Sequence, residues 1–280
     1  MKLSVIIVNY NMCASLKQAL STLVRACKFI DSEIVVIDDA STDRSLQMLE
    51  SDFPEVEVIR NDKNIGIAAS RNVGIEKATG EYVLMVSPDI ITGKKTLESI
   101  IEFMDSHPEA GAAGVRMLTP RGDFLKQSRT GFVRPWGTLL KLTGLAKYFT
   151  KSRLYKYELD AWDDEDDFAT TEVDVVNGSF MMLRKSALQE TGLLDERFTS
   201  YGHDIDISFR MRLAGYKNYY YPRTYILNFS NSLNPKISWK HIRDFYGAMI
   251  IFATKYLFKV PEIKIPGIPQ VFAPTYEVER

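Results

Sequence analysis

Short apolar runs that alternate with helical patterns constrain the fold of this chain more than any other feature. Over residues 1–117, runs rich in Val and Ile alternate with segments whose apolar residues recur at helical spacing. The predicted strands are Leu3–Val8, Glu33–Ile37, Val56–Ile59, Tyr82–Val86 and Ala112–Met117, and the predicted helices are Ala14–Ala26, Asp43–Glu50, Ala68–Ala78 and Gly93–Ser106. This alternation predicts an α/β fold, with a Rossmann-like, mostly parallel central sheet and flanking helices.

The pattern loosens from Thr119 to Thr171, where glycines and prolines interrupt it, and then becomes regular again. The further predicted strands are Val173–Val176, Phe180–Leu183 and a short pair, Tyr219–Tyr221 and Tyr225–Leu227. The further predicted helices are Lys185–Thr191, Ile205–Ala214 and the amphipathic segment Trp239–Phe258. We therefore expect a globular domain over residues 1–232, followed by a C-terminal amphipathic helix and an extended tail over residues 233–280.

Composition and the pattern of charges limit the partners and the location of the protein. Lys and Arg together number 35 against 36 for Asp and Glu, so no basic field favours nucleic acid. Cys13 and Cys27 do not have metal-ligand spacing and are typical of reduced thiols in a reducing compartment. No run approaches the roughly 20 apolar residues that a membrane span needs. These observations predict a cytoplasmic protein.

Polar side chains follow the first two predicted strands, at the edge where an open α/β sheet binds its ligands. Tyr10 and Asn11 come after the first strand, and the ring of Tyr10 can stack on a flat base. Asp38 and Asp39 come after the second strand. Their carboxylates can accept hydrogen bonds from a base N–H or from ribose hydroxyls. The segments that follow the first two predicted strands therefore predict nucleoside binding.

The next two joins add a cation and further oxygen ligands. Asn64 and Arg71 lie in the third join, where an arginine in the first turns of a helix suits a phosphate or a base oxygen. Ser87 and Asp89 follow the fourth strand, and a carboxylate there can ligate a divalent ion on a diphosphate. Far downstream, Asp204 belongs to a second acidic cluster and can remove a proton from an attacking hydroxyl.

Longer motifs in the chain resemble glycosyltransferase family 2, and those of the second half resemble its rhamnosyltransferase-like branch. They are Ser4–Asn11, Glu33–Asp43, Asn64–Asp89, Val173–Ser179, Gly192–Phe198, Asp204–Asp206 and Arg210–Tyr216. The resemblance implies a GT-A fold over residues 1–232, with a nucleotide-binding half at 1–117 and an acceptor half at 118–232. It also implies inverting transfer of a sugar from a nucleoside diphosphate sugar to a glycan or lipid-linked acceptor in polysaccharide assembly.

The resemblance also implies roles for single residues. Asp204 matches the general base, while Asp38, Tyr10 and Arg71 would hold the nucleoside with Asp39 alongside. The other implied donor-binding residues are Asn11, Asn64, Ser87 and Asp89, and the implied substrate-binding residues are Asp174, Gly178, His203 and Asp206. A divalent cation, Mg²⁺ or Mn²⁺, is the implied cofactor, with Asp89 as its protein ligand.

Three positions depart from the family's pattern. Ser87 stands at its first acidic metal position, His203 at the usual Glu before the base, and Asn228 at a histidine that often joins the metal. We therefore expect the ion to be weakly held unless a nucleotide is bound. The departures keep a second hypothesis open, a degenerate transferase that binds nucleotide sugars or acts as a scaffolding subunit. A nucleotidyltransferase is disfavoured, because Asn9–Cys13 is not a Gly-rich loop with a basic residue.

Basic and apolar side chains of the C-terminal helix leave two interpretations open. The stripe predicted to pack is Ile242, Tyr246, Met249, Ile250, Ala253, Tyr256 and Leu257, and the additional exposed candidates are Ile251, Phe252 and Phe258. The basic residues around them are Lys236, Lys240, Arg243, Lys255 and Lys259. Such a helix either packs on the catalytic domain or attaches peripherally to the inner face of the cell membrane, near a lipid-linked acceptor. A homodimer is a further expectation.

Overall fold

A computed structural model describes residues 1–126, 128, 168–229 and 239–256, with the side chains of 239–242 and 245 excluded. The predicted tail, the apolar candidate Phe258 and the basic residues Lys236 and Lys259 lie outside the described residues. The division of the chain into residues 1–232 and 233–280 stays a prediction.

The described residues form nine strands and seven helices. The strands are β1 Leu3–Asn9, β2 Ser32–Asp38, β3 Glu57–Arg60, β4 Tyr82–Val86, β5 Ile90–Thr92, β6 Ala110–Leu118, β7 Thr171–Val173, β8 Phe180–Arg184 and β9 Lys217–Asn228. The helices are α1 Cys13–Cys27, α2 Ser45–Asp52, α3 Ile67–Lys77, α4 Thr96–Ser106, α5 Lys185–Thr191, α6 His203–Leu213 and α7 Trp239–Tyr256.

One sheet contains all these strands, in the order β3-β2-β1-β4-β8-β6-β9-β5, with β7 paired to β9. Strands β3, β2, β1 and β4 are parallel, whereas β8 runs antiparallel to both β4 and β6. Strand β9 is parallel to β6. Since β8 reverses the direction on each side, β6 and β9 point the same way as β4. The carboxyl ends of the parallel strands and of β6 and β9 therefore face one edge of the sheet.

The structure corrects the strand predictions at three places. Tyr219–Tyr221 and Tyr225–Leu227 are parts of one strand, β9, because a register shift opposite Val115 and Arg116 carries the intervening residues past β6 without ending the pairing. Strand β7 ends at Val173, and the following residues leave the ladder. Strand β5 was not predicted, because its three residues are too few to show a strand periodicity.

The two faces of the sheet carry separate apolar cores. Leu3, Val5 and Ile7 of β1 pack in a first cluster with side chains of α1, α2 and α4. Ile6 of the same strand packs in a second cluster with α3, α5 and α6. A strand that is covered on both faces needs apolar residues at consecutive positions, which is why four of them, Val5 to Val8, follow one another in β1.

A third apolar cluster attaches α7 to α6. Ile205 and Phe209 of α6 pack against Ala248 and Phe252 of α7, and Phe252 is fully buried. The prediction that Phe252 is exposed is therefore wrong. The predicted packing stripe is confirmed in part: Met249 and Tyr256 pack against this cluster, whereas Tyr246 and Ile250 are more than half exposed.

Buried charges reinforce this attachment. The Oδ2 atom of Asp206 accepts from Arg210 Nε at 2.9 Å, and its Oδ1 accepts from Lys255 Nζ at 2.8 Å and from Tyr256 Oη at 2.7 Å. Lys255 also donates to Asp195 Oδ2 at 2.8 Å. The Lys255 side chain is only 9% exposed, so it is not the membrane-facing cation that the sequence suggested. Packing of α7 on the domain is thus observed, while peripheral membrane contact stays a prediction.

We expect Asp206→Asn to destabilise the folded protein strongly. The substitution removes the negative charge that Arg210 and Lys255 share, and breaking a buried pair typically costs about 3–5 kcal/mol. Urea unfolding measures the change in free energy. The matched control is Asp52→Asn in the exposed pair with Lys17, where we expect little change in stability because solvent screens the charges. Equal losses in the two variants would contradict the importance of the buried pair.

Candidate functional site

The loops after β1 and β2 form one hydrogen-bonded unit at the carboxyl edge of the sheet. Asn9 Nδ2 donates to Asp38 Oδ1 at 3.0 Å and to Ser41 Oγ at 3.1 Å. The amide N of Ser41 donates to the second Asp38 oxygen at 2.9 Å. Asp38 is fully buried, so its carboxylate organises these loops. Each Asp38 oxygen already accepts one hydrogen bond from the protein, and the role of Asp38 in holding the nucleoside stays a prediction.

Two residues in the left-handed backbone region shape the same loops. Asn11 has φ 55° and Ala40 has φ 62°, a conformation that costs energy for residues other than glycine. Asn11 Oδ1 accepts from the amide N of Thr42 at 2.7 Å and of Asp43 at 3.2 Å, which joins the first loop to the second. Between these contacts the ring of Tyr10 is half exposed. The loops thus present Tyr10 to solvent at the edge where the sequence predicts a base to stack.

Asp39 connects the second loop to the start of α3. Its Oδ1 accepts from Asn61 Nδ2 at 3.0 Å and from the amide N of Ile65 at 2.9 Å, and its Oδ2 accepts from Gly66 N at 3.2 Å. Gly66 has φ 91°, a value that favours glycine. Asn64 in this segment is exposed. Asp39 therefore sets where α3 begins.

Arg71 on α3 reaches across to the second half of the chain. Its Nη2 donates to the carbonyl O of Gly178 at 2.7 Å, and its Nη1 lies 2.6 Å from His203 Nε2. The amide N of Gly178 donates to Asp204 Oδ2 at 3.1 Å. A Cβ added at Gly178 would lie 3.1 Å from Asp204 Cβ and 3.3 Å from Arg71 Nη1. The absence of a side chain at Gly178 lets these groups meet.

The contact with Arg71 fixes the protonation of His203. A guanidinium can only donate, so Nε2 accepts and the proton of the neutral ring resides on Nδ1. Burial lowers the pKa of His203 well below its usual 6.5, and the positive charge of Arg71 lowers it further. His203 is only 6% exposed, and within the described ranges its Nδ1 has no hydrogen-bond partner. A neutral histidine thus leaves the charge of Arg71 uncompensated on this side.

Asp204 occupies the first turn of α6 beside this cation. Burial raises the pKa of its carboxyl above the usual 3.8, against the opposing effects of the Gly178 N–H and the Arg71 charge. Burial in turn lowers the pKa of Arg71 to about 10, while the charge of Asp204 opposes that shift. A raised pKa makes the ionised carboxylate a stronger base. The role of Asp204 as the general base stays a prediction.

The segment after β4 forms a turn that returns to the same edge. The amide N of Ile90 donates to the carbonyl O of Ser87 at 3.2 Å, with Pro88 at the second position that favours proline in such turns. Asp89 occupies the third position and is partly exposed. Asn228 of β9 pairs with Ile90, so it lies beside this turn. The predicted neighbours Ser87, Asp89 and Asn228 are thus brought together.

Two further predicted site residues are engaged elsewhere. Asp174 forms an ion pair with Arg212 of α6, and its carbonyl accepts from Asn218 Nδ2 at 2.9 Å. Asp206 contacts α7, as described above. Each of these carboxylates pairs with a protein cation, Arg212 for Asp174 and Lys255 for Asp206. Their roles in substrate binding stay predictions. Within residues 1–126, 128, 168–229 and 239–256, no three His, Cys, Asp or Glu side chains cluster to hold a metal.

Comparison with known proteins identifies the family to which this constellation belongs. The sequence profile described as Glycosyl transferase family 2 matches residues 4–192. The chain belongs to glycosyl transferase family 2. It is 22% identical over 268 residues to N-acetylglucosaminyl-diphospho-decaprenol L-rhamnosyltransferase of Mycobacterium tuberculosis, covering 89% of this chain and 83% of that protein. The predicted resemblance is confirmed, and the protein is a glycosyltransferase.

Other similar proteins cover different shares of the chain. Poly(ribitol-phosphate) beta-N-acetylglucosaminyltransferase TarS of Staphylococcus aureus is 33% identical over 144 residues, half of this chain and a quarter of that one. The structure of S. aureus TarS 1–349 in complex with UDP-GlcNAc superposes with a TM-score of 0.62 at 22% identity, covering 94% of this chain and 68% of that chain. A mannosyltransferase of Pyrobaculum calidifontis with GDP-Man and Mn²⁺ gives 0.58 at 18%, covering 91% and 61%. These neighbours confirm the predicted GT-A fold.

None of the helices within the described part of the chain has both the length and the apolar character that crossing a membrane requires. The cytoplasmic location and the homodimer stay predictions.

We expect the raised pKa of Asp204 to appear in the pH dependence of stability. The folded protein holds this proton more tightly than the unfolded chain, so the free energy of unfolding falls as the pH rises from about 3.8 through the folded-state pKa. Asp204→Asn cannot titrate. Its stability relative to wild type should therefore increase over that window, as urea unfolding at several pH values will measure.

Asp195→Asn is a control of opposite sign. Burial alone would raise the pKa of Asp195, but hydrogen bonds from Arg197 and Lys255 lower it well below the usual range. Its ionised form therefore stabilises the folded state above the unfolded-state pKa, and that stability is lost as the pH falls. The relative stability of Asp195→Asn should decrease as the pH rises. Parallel pH profiles for the two variants would contradict the assignment.

Proposed function

We propose that this protein is an inverting glycosyltransferase that moves a sugar from a nucleoside diphosphate sugar to a glycan or glycolipid acceptor in polysaccharide assembly. The observation that carries the proposal is the partly buried carboxylate of Asp204, held by Gly178 N and next to the Arg71 cation. Both relatives named above act, by their names, on acceptors that contain phosphate. We extend that property to this chain and propose an acceptor that carries a phosphate group.

The chemistry of the proposed step follows from the positions of these groups. Asp204 takes the proton of the acceptor hydroxyl while the hydroxyl oxygen bonds to the anomeric carbon. The bond between that carbon and the diphosphate oxygen breaks, and the diphosphate leaves with the electron pair. Attack from the face opposite the leaving group inverts the anomeric centre. The positive charge of Arg71 is suitably placed to stabilise the negative charge that develops.

The donor is proposed to lie along the loops after β1, β2 and β4. The half-exposed ring of Tyr10 offers a stacking surface for the base. The Asn11 and Asp38 contacts hold the loops in place, and Asp39 positions the segment that contains Asn64. This assignment gives Asp38 and Asp39 positioning roles.

A divalent cation would depend largely on the donor for its ligands. Asp89 supplies one carboxylate, and its neighbours Ser87 and Asn228 are neutral, so the described residues do not form a complete metal site. A bound cation would neutralise charge on the leaving diphosphate. The protein's own part is to hold the Ser87–Ile90 turn at the sheet edge.

We expect Asp204→Asn to abolish transfer and to preserve donor binding. The amide cannot accept the proton, so the rate should fall by about 10²-fold or more. Transfer or hydrolysis of radiolabelled nucleotide sugars measures the rate, and calorimetry measures binding. The control is Glu102→Gln, an exposed change on α4. A variant that transfers sugar at the wild-type rate would refute the assignment, and a wild-type protein that binds donor without any turnover would favour the degenerate transferase.

We expect the protein to bind Mn²⁺ weakly by itself and more tightly with a nucleoside diphosphate. One carboxylate provides too little charge, whereas the phosphates supply the missing anionic oxygens. Calorimetric titration with and without nucleotide tests this. Ser87→Asp should tighten Mn²⁺ binding to the free protein, because it adds a second carboxylate beside Asp89. Tight binding by the free wild-type protein would reveal ligands other than these.

A further inference from the structure

Arg116 is a charged residue in the otherwise apolar strand β6, and two aromatic rings lie beside its guanidinium. Its guanidinium carbon lies 4.9 Å from the ring centroid of Phe124 and 4.1 Å from that of Phe168. The Nη1 atom is buried and has no hydrogen-bond partner among the residues that the structure describes. Buried arginine N–H groups almost always donate to an acceptor, so Nη1 is a donor suited to an acceptor atom of a bound group.

The position of Arg116 in β6 places it on the face that carries α6. Val115 and Met117 pack in the first apolar cluster, and side chains alternate along a strand, so Arg116 points to the opposite face. Gly114 points the same way, and a Cβ added there would lie 2.8 Å from Val176 Cγ1. Two residues beyond Val176, Gly178 contacts Asp204. Arg116 thus shares both the face and the sheet edge of the proposed base.

A tight turn and two rings hold the guanidinium in place. Leu118 pairs with Phe124 in an antiparallel bridge, and the amide N of Leu125 donates to the carbonyl O of Met117 at 2.9 Å. These contacts fold Phe124 back beside β6. Phe168 is 67% exposed, so the guanidinium of Arg116 lies near solvent on the side of this ring. The rings cover the faces of the guanidinium and not its edge. The cation–π contacts themselves therefore do not block the in-plane N–H groups from donating hydrogen bonds.

We propose that Arg116, held between Phe124 and Phe168, binds a phosphate group of the acceptor. The inference rests on the proposed function, which places the acceptor hydroxyl at Asp204. Arg116 lies on the same face and edge of the sheet as Asp204. A phosphate bound to Arg116 would therefore bring the acceptor in from the side of the proposed base. The planar fork of N–H donors matches two phosphate oxygens, which a lysine could not do with the same geometry. Isoprenyl diphosphates and polyol phosphates share this chemistry.

The test uses the full chain saturated with the nucleoside diphosphate that most raises its melting temperature, so that the donor site is filled. Calorimetry then measures the affinity for farnesyl diphosphate in detergent micelles, for ribitol 5-phosphate and for inorganic phosphate. Arg116→Met should weaken binding by about tenfold or more, as loss of a hydrogen bond to a charged group predicts. The stronger of the two organic probes identifies whether the acceptor is a lipid diphosphate or a polyol phosphate.

Arg121→Met is the matched control, since it removes the same charge from an exposed position in the same turn. It should leave the affinities at the wild-type value. Arg116→Lys keeps the charge and loses the fork, so it should bind the probes more weakly than wild type, and it decides the question if Arg116→Met does not fold. Unchanged probe affinity in the Arg116 variants overturns the proposal.

A nucleotide measurement separates this subsite from the donor site and from the proposed function. Arg116→Met should bind the nucleoside diphosphate as wild type does. An equal loss of nucleotide affinity would assign Arg116 to the donor and overturn the proposal. If the wild-type protein bound no nucleotide sugar, the proposed function would fail, whereas the effect of Arg116→Met on the phosphate probes would still decide the subsite.

Discussion

The buried guanidinium of Arg71 is the interaction on which the site depends. It extends from α3 to the carbonyl of Gly178 and the ring of His203, so it joins the two halves of the chain. A buried cation is costly unless acceptors surround it. The three partners that meet this need are a backbone carbonyl, a neutral histidine and the charge of Asp204. The same contacts therefore compensate the buried charge of Arg71 and position the proposed base, Asp204.

Helix α6 carries two functions on two sides. Asp204 contacts Gly178 at the site, whereas Asp206 contacts Lys255 and Tyr256 of α7. Successive residues of an α-helix are about 100° apart, so residues two apart point to nearly opposite sides. Both carboxylates cannot face one pocket. The C-terminal helix thus bears directly on the element that supplies the base, and its removal would expose the buried face of α6.

Charge and aromatic stacking together give the proposed acceptor side a different character from the proposed donor side. The proposed donor loops are held by neutral amides and two buried carboxylates, Asp38 and Asp39. Arg116, by contrast, is held by rings. In the sequence, Arg116 is an arginine within an apolar run. An arginine at the solvent-exposed end of a strand gives the same pattern, so the sequence alone does not distinguish the two. The rings of Phe124 and Phe168 became visible as its neighbours only in the folded chain.

The sequence by itself determined the elements of the fold and the family. Strands such as β1 and β4 are covered on both faces, so most of their residues are apolar, and local pattern alone identifies them. The residues at strand ends were predicted to converge because parallel strands share one edge. The tertiary structure decided which of them are partners and which are available. Asp38, Asp174 and Asp206 have the same chemistry in sequence as Asp204, but each carboxylate also accepts from a donor far along the chain, namely Asn9, Arg212 and Lys255 respectively. Periodicity carries no information about such contacts.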